Sequence, residues 1–163
     1  MYIDKWWGNT TCGDTDDSML LMDYFEMKNK EQFTLKEIIH DAQLDNVLGK
    51  KPLYVSEEIE CFFWMDGDED KFHADFQIPV NLIIDLSALL LQSFVEGFIA
   101  IEHMGKKVKF SISTEKEELK LIIDELENAV QKPGLYYPDF LQDEFAEMKD
   151  GIIEICNELK AYC

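Results

Sequence analysis

The chain contains no arginine: its fifteen basic side chains are all lysine, set against 34 aspartates and glutamates, for a formal charge of −19 on 163 residues. Without arginine the chain lacks the planar fork that grips phosphate in two places at once. A surface this acidic also repels nucleic-acid backbones and anionic lipid. Neither nucleic acid nor membrane is therefore expected as a partner. Glycine and proline are scarce, at eight and four residues, and no Gly/Ser/Pro-rich linker, low-complexity tract or internal repeat divides the chain. One domain over residues 1–163 is expected.

Catalytic and metal-binding signatures are missing too. There is no P-loop, GxGxxG, GxSxG or HExxH pattern. Cys12, Cys61, Cys156 and Cys163 form no CxxC pair, which fits four reduced thiols in a cytoplasmic protein. Met1–Trp7 carries Asp4 and Lys5 and has no apolar stretch of the secretory type. The most apolar region, Val80 to Ile101, is broken by Asn81, Asp85, Gln92, Ser93 and Glu96. It suits a buried core better than a membrane span, which needs about 20 nearly uncharged residues.

What the chain does have is globular material, 47% hydrophobic and 12% aromatic, well above the composition of disordered chains. Met1–Trp7 is aromatic and β-branched enough for a short first strand. Asp14, Asp16 and Asp17 precede an apolar series from Met19 to Phe25, a helix-start pattern in which the acids cap free N–H groups. Thr34 and Glu37 form a capping box for a second helix, with Leu35, Ile38, Ile39, Ala42 and Val47 as its stripe and Gly49 as its stop. Glu58–Met65 and Lys71–Ile78 make one hairpin around Asp66–Asp70, and Phe98–His103 with Lys107–Ser113 make a second.

Ser87–Val95 suits a buried helix. Thr114 and Glu117 repeat the capping-box pattern before Leu119, Ile122, Ile123, Leu126 and Val130, spaced for a helix that Pro133-Gly134 ends. Pro138 opens a last helix carrying Leu141, Phe145, Met148, Ile152, Ile155 and Leu159. The expected fold is α+β: an antiparallel sheet built from the two hairpins, with the N-terminal stretch as a further strand, packed with about four to five helices.

The acid is unevenly spread. Net charge is −4 over residues 1–32, −7 over 33–79, zero over 80–114 and −8 over 115–163. The densest cluster is Asp66-Gly67-Asp68-Glu69-Asp70. Its D-x-D-x-D spacing imitates the start of an EF-hand loop, but Lys71 stands where the turn glycine belongs and Gln77 where the bidentate glutamate belongs. A solvated hairpin tip and a patch that presents charge to a basic partner are the other interpretations. Asp14, Asp16 and Asp17 offer carboxylates for metal binding or hydrolysis, yet nothing nearby supplies the asymmetry such chemistry needs, and capping explains them better. His40, His73 and His103 fall singly on separate elements. No metal or cofactor is expected, and no catalysis.

Aromatics are enriched at interface hot spots, and Trp6 and Trp7, adjacent on a strand, would face opposite ways, leaving one exposed unless a helix covers the outer face. Tyr2-Ile3-Asp4-Lys5-Trp6-Trp7-Gly8-Asn9, then Gly13-Asp14-Thr15-Asp16-Asp17-Ser18 and Leu21-Met22-Asp23-Tyr24-Phe25, resemble a family of small bacterial immunity proteins of polymorphic toxin systems. The resemblance implies stoichiometric neutralisation of a cognate protein toxin. The physical pattern agrees with a basic-surfaced toxin met by Asp66, Asp68, Glu69 and Asp70 as the charged patch, with Trp64 and Trp7 as aromatic anchors. The alternatives are an acidic interaction module or nucleic-acid mimic that fills a basic groove and, more remotely, a carboxylate- and metal-dependent enzyme.

Overall fold

The computed structural model describes Met1–Cys163. Its axis is the apolar region: α3 (Pro79–Glu96) is buried at every position from Pro79 to Ser93. By length and composition it could cross a membrane, but its polar interruptions are attachment points for other elements. Asn81 donates to Asp17 at 3.0 Å. Asp85 accepts the N–H of Gly13 at 3.0 Å, and Gln92 accepts that of Ile3 at 3.1 Å. Ser93 accepts the N–H of Ile112 at 2.9 Å. Each buried polar group thereby satisfies a backbone or side-chain partner that burial would otherwise leave stranded.

Those attachments explain why the N-terminus is not a strand. Tyr2–Lys5 forms a 3₁₀ turn, because the N–H groups of Tyr2 and Ile3 are taken by Glu96 and Gln92 rather than by a sheet neighbour. Ile3 and Trp6, three apart, are both buried. Trp6 Nε1 donates to Glu154 at 3.1 Å, and Trp7 forms only an isolated bridge with Cys12.

α1 (Asp16–Lys28) begins at Thr15, whose hydroxyl accepts the N–H of Ser18 at 3.1 Å. The expected aspartate cap is thus a threonine cap. Asp17 instead reaches across to α3, accepting the N–H groups of Gln77 and Ile78 at 2.9 and 3.1 Å. It caps a helix sixty residues downstream whose own N-cap, Ile78, has no side-chain acceptor.

Strand β1 (Gln32–Thr34) runs into α2 (Leu35–Asp41), where the Thr34–Glu37 capping box forms as expected. α2 ends well before Gly49. Ala42 is no longer helical in ψ and Gln43 has φ +65°, so Leu44, Val47 and Leu48 reach the core from turns.

β2 (Phe62–Asp66) and β3 (Lys71–Asp75) form the first hairpin. β4 (Ile99–His103) and β5 (Lys106–Ser113) form the second. They do not join into one antiparallel sheet. β1 pairs parallel with β5, giving a three-stranded sheet of order β1-β5-β4, and β2–β3 stands apart. Three-residue β1 carries no readable period, so the sequence offered no sign of it.

α1 links the two sheets through adjacent rings. Tyr24 stacks on Phe63 of β2 at 4.0 Å and Phe25 on Phe110 of β5 at 4.1 Å. α4 (Lys116–Gln131) starts one residue later than expected, with Glu115 and Glu118 as its box. A single-turn α5 (Pro133–Tyr136) follows, and α6 (Gln142–Lys160) closes the chain. Six helices and four of the five strands contribute to one cluster of 45 buried hydrophobic residues, and the α+β single domain is the architecture.

Candidate partner-binding site

β3 is the one strand of this fold with no buried residue. In its antiparallel register Phe63 pairs with Ala74 and Met65 with Phe72, while Phe62, Trp64 and Asp66 pair with Asp75, His73 and Lys71. Alternation places the first set on the face toward α1 and the second on the outer face. Phe63 and Met65 are buried accordingly. On the outer face an aromatic group assembles. His73 lies flat on Phe62 at 4.2 Å and 8°, and Trp64 stands edge-on to His73 at 4.1 Å. Trp64 remains 50% exposed, and Phe72, on the opposite face near the tip, is 52% exposed.

Asp66, at the end of β2, and Asp68, Glu69 and Asp70, in the turn that follows, are all exposed. The turn closes through the Gly67 N–H, which donates to the Asp70 carbonyl at 3.0 Å. Lys71, paired with Asp66 in the register, is the single cation of the tip. The hairpin is held from behind, where the Asp66 N–H meets Met27 Sδ at 3.4 Å. Beside Trp64 a cleft of about 260 Å³ opens toward Tyr24, His40 and Asp41. The Tyr24 hydroxyl donates to Asp41 at 2.7 Å there, and burial holds the phenol well above its usual range.

Five of the six residues singled out from the sequence therefore share one hairpin. Trp7 does not join them. It is half-buried, with its ring against Gly13 at the start of α1, whereas the hairpin tip lies by Met27 at the other end. Residues 16 and 27 are roughly 17 Å apart along a helix. The expectation that Trp6 and Trp7 face opposite ways on a strand falls with the strand itself. Phe72 and His73 were the missed members. Their signal was the Lys71-Phe72-His73-Ala74-Asp75 alternation, which puts two large rings on opposite faces of one short strand.

A model of the immunity protein 68 family, Imm68, matches residues 2–159. The chain belongs to this family. Comparison with curated proteins and with solved structures gives no match. Membership gives this Imm68 chain an immunity-type role, and the match extends far beyond the first 25 residues that carried the sequence resemblance.

Most buried polar side-chain atoms of this Imm68 chain have structural partners, the exceptions being Asp85 Oδ2 and the Tyr136 hydroxyl. The Cys12 and Cys61 thiols are pushed far up by burial, so neither is poised as a nucleophile. Asp85 is raised to about 7, chiefly by burial, but is sealed in the core. Glu125, also raised by burial, accepts the Leu53 N–H at 2.8 Å. Histidine and carboxylates do converge at Asp23, Glu26 and His103, whose ligating atoms lie within 4.8 Å of one another. That assembly joins α1 to the end of β4 and was invisible in the sequence, where the three histidines looked solitary.

Proposed function

We propose that this chain neutralises a cognate protein toxin by stoichiometric binding, without catalysis, and that the β2–β3 hairpin is the inhibitory surface. The supporting observation is that one hairpin carries two half-exposed aromatic side chains, Trp64 on one face and Phe72 on the other, beside four exposed acids at its tip. Hot spots are aromatic-rich and sit inside a rim that excludes water, while rim charge steers encounter. The acids here select a toxin with a basic contact surface, and complementary charge at low salt raises association toward about 10⁸–10⁹ M⁻¹s⁻¹. The setting is a bacterial cytoplasm and a polymorphic toxin system, as the N-terminal resemblance implies.

The test uses the cognate toxin domain, identified by its co-purification with this chain. In D66N/D68N/E69Q/D70N the association rate falls about tenfold or more at low salt and its dependence on ionic strength flattens. A control that removes four exposed charges from the start of the last helix and the turn before it, D139N/D143N/E144Q/E147Q, leaves association close to wild type. If the two quartets slow association equally, charge acts globally and the hairpin assignment is wrong.

A further inference from the structure

We propose that Asp23, Glu26 and His103 form a binding site for one zinc ion. Asp23 and Glu26 are three residues apart on α1 and so share a face of that helix. His103 closes β4, on a separate element. Its imidazole is 92% buried and its Nε2 lies 2.5 Å from Asp23 Oδ1. The two carboxylates are more open, Asp23 at 53% and Glu26 at 28% side-chain exposure. One ligand is thus fixed and two can adjust from the solvent side. Ligand atoms around tetrahedral zinc sit roughly 3.4 Å apart, given bonds of about 2.0–2.2 Å. Seating zinc opens the 2.5 Å His103–Asp23 pair and adjusts the other separations, all within 4.8 Å, through carboxylate rotations that leave the fourth position to water.

The imidazole sets this cluster apart from the acidic patches elsewhere on the chain. Calcium and magnesium prefer oxygen ligands throughout, whereas one imidazole with two carboxylates suits zinc. The hairpin tip has more acids but no buried ligand on a second element. The cluster also already attracts a cation, because the Lys106 ammonium pairs with Glu26. Lys106 is 71% exposed, and an exposed pair of this kind contributes little, so a divalent ion displaces it. Bound zinc would staple α1 to the β4–β5 hairpin. None of these residues belongs to the proposed toxin surface, so the two proposals stand or fall separately.

The experiment is calorimetric titration of the full chain with zinc alone, in a C163S background that removes the one exposed thiol. One equivalent binds per chain. His103→Gln and Asp23→Asn each weaken binding at least about tenfold, D66N/D68N/E69Q/D70N leaves it unchanged, and Lys106→Ala tightens it several-fold by removing the competing ammonium. Zinc also raises the unfolding temperature of the C163S protein but not that of the His103→Gln variant. Should His103→Gln fail to fold, exposed Asp23→Asn and Lys106→Ala decide the matter. Absence of a one-to-one site, or undiminished affinity in Asp23→Asn, overturns the proposal.

Discussion

Single residues show how differently one composition is used. Asp14, Asp16 and Asp17 look alike in sequence, yet only Asp17 is buried, with three donors on its carboxylate. Replacing it by alanine strands two N–H groups and an amide at the start of α3, and costs about 3 kcal/mol or more. Asp16→Ala, on an exposed site, stays within about 0.5 kcal/mol. Urea unfolding midpoints of the two variants give the comparison.

Asp85 has the opposite character. One of its oxygens is buried without a partner, and burial lifts its pKa to about 7. The folded state therefore binds this proton more tightly than the unfolded state. From about pH 4 to pH 7 the folded protein carries more protons, and the stability from this group falls as pH rises. Asp85→Asn removes that slope and is more stable than wild type at pH 8 by about 1–3 kcal/mol. Denaturant titrations at pH 5 and pH 8 read the difference directly. An equal pH slope in both proteins would refute the assigned burial.

At the scale of elements, local signals were legible and long-range ones were not. The Thr34–Glu37 box, the paired runs of both hairpins and the 3.6-residue stripe of α4 follow from neighbouring residues, and all are present. Two of the failures share one cause, competition from a distant partner. Tyr2 and Ile3 lose their strand to Glu96 and Gln92, and β1 exists only because β5 is beside it. Likewise the hairpin's acids and Trp64 could be read from adjacent positions, while Phe72's exposure and the approach of His103 to Asp23 depend on packing between elements.

Gly151, in the middle of α6, is a further case. Helix propensity favours alanine there by about 1 kcal/mol, but an added Cβ would lie 2.6 Å from Thr11 Cγ2 in the loop packed against it. Gly151→Ala is expected to destabilise by about 1–3 kcal/mol, seen as a lower thermal midpoint. A rise would show that this loop yields easily.

For the whole molecule, the charge of −19 is carried by a fold whose central helix is buried and whose acids lie mainly on the first hairpin and the C-terminal helices. Charge alone fits many acidic proteins. The Imm68 match over residues 2–159 gives the chain an immunity-type role, and the exposed aromatics mark the surface proposed for it. Steering by charge and holding by aromatic anchors are separable, since the first acts mainly on association and the second on dissociation.

The most direct measurement is the affinity of the Trp64→Ala/Phe72→Ala double variant for the cognate toxin domain, with thermal unfolding recorded alongside. Both rings are about half exposed, so their loss leaves the fold largely intact. The account predicts binding weakened by about 100-fold or more, mostly through faster dissociation. Wild-type affinity in a folded double variant would contradict it and move the inhibitory surface away from the hairpin.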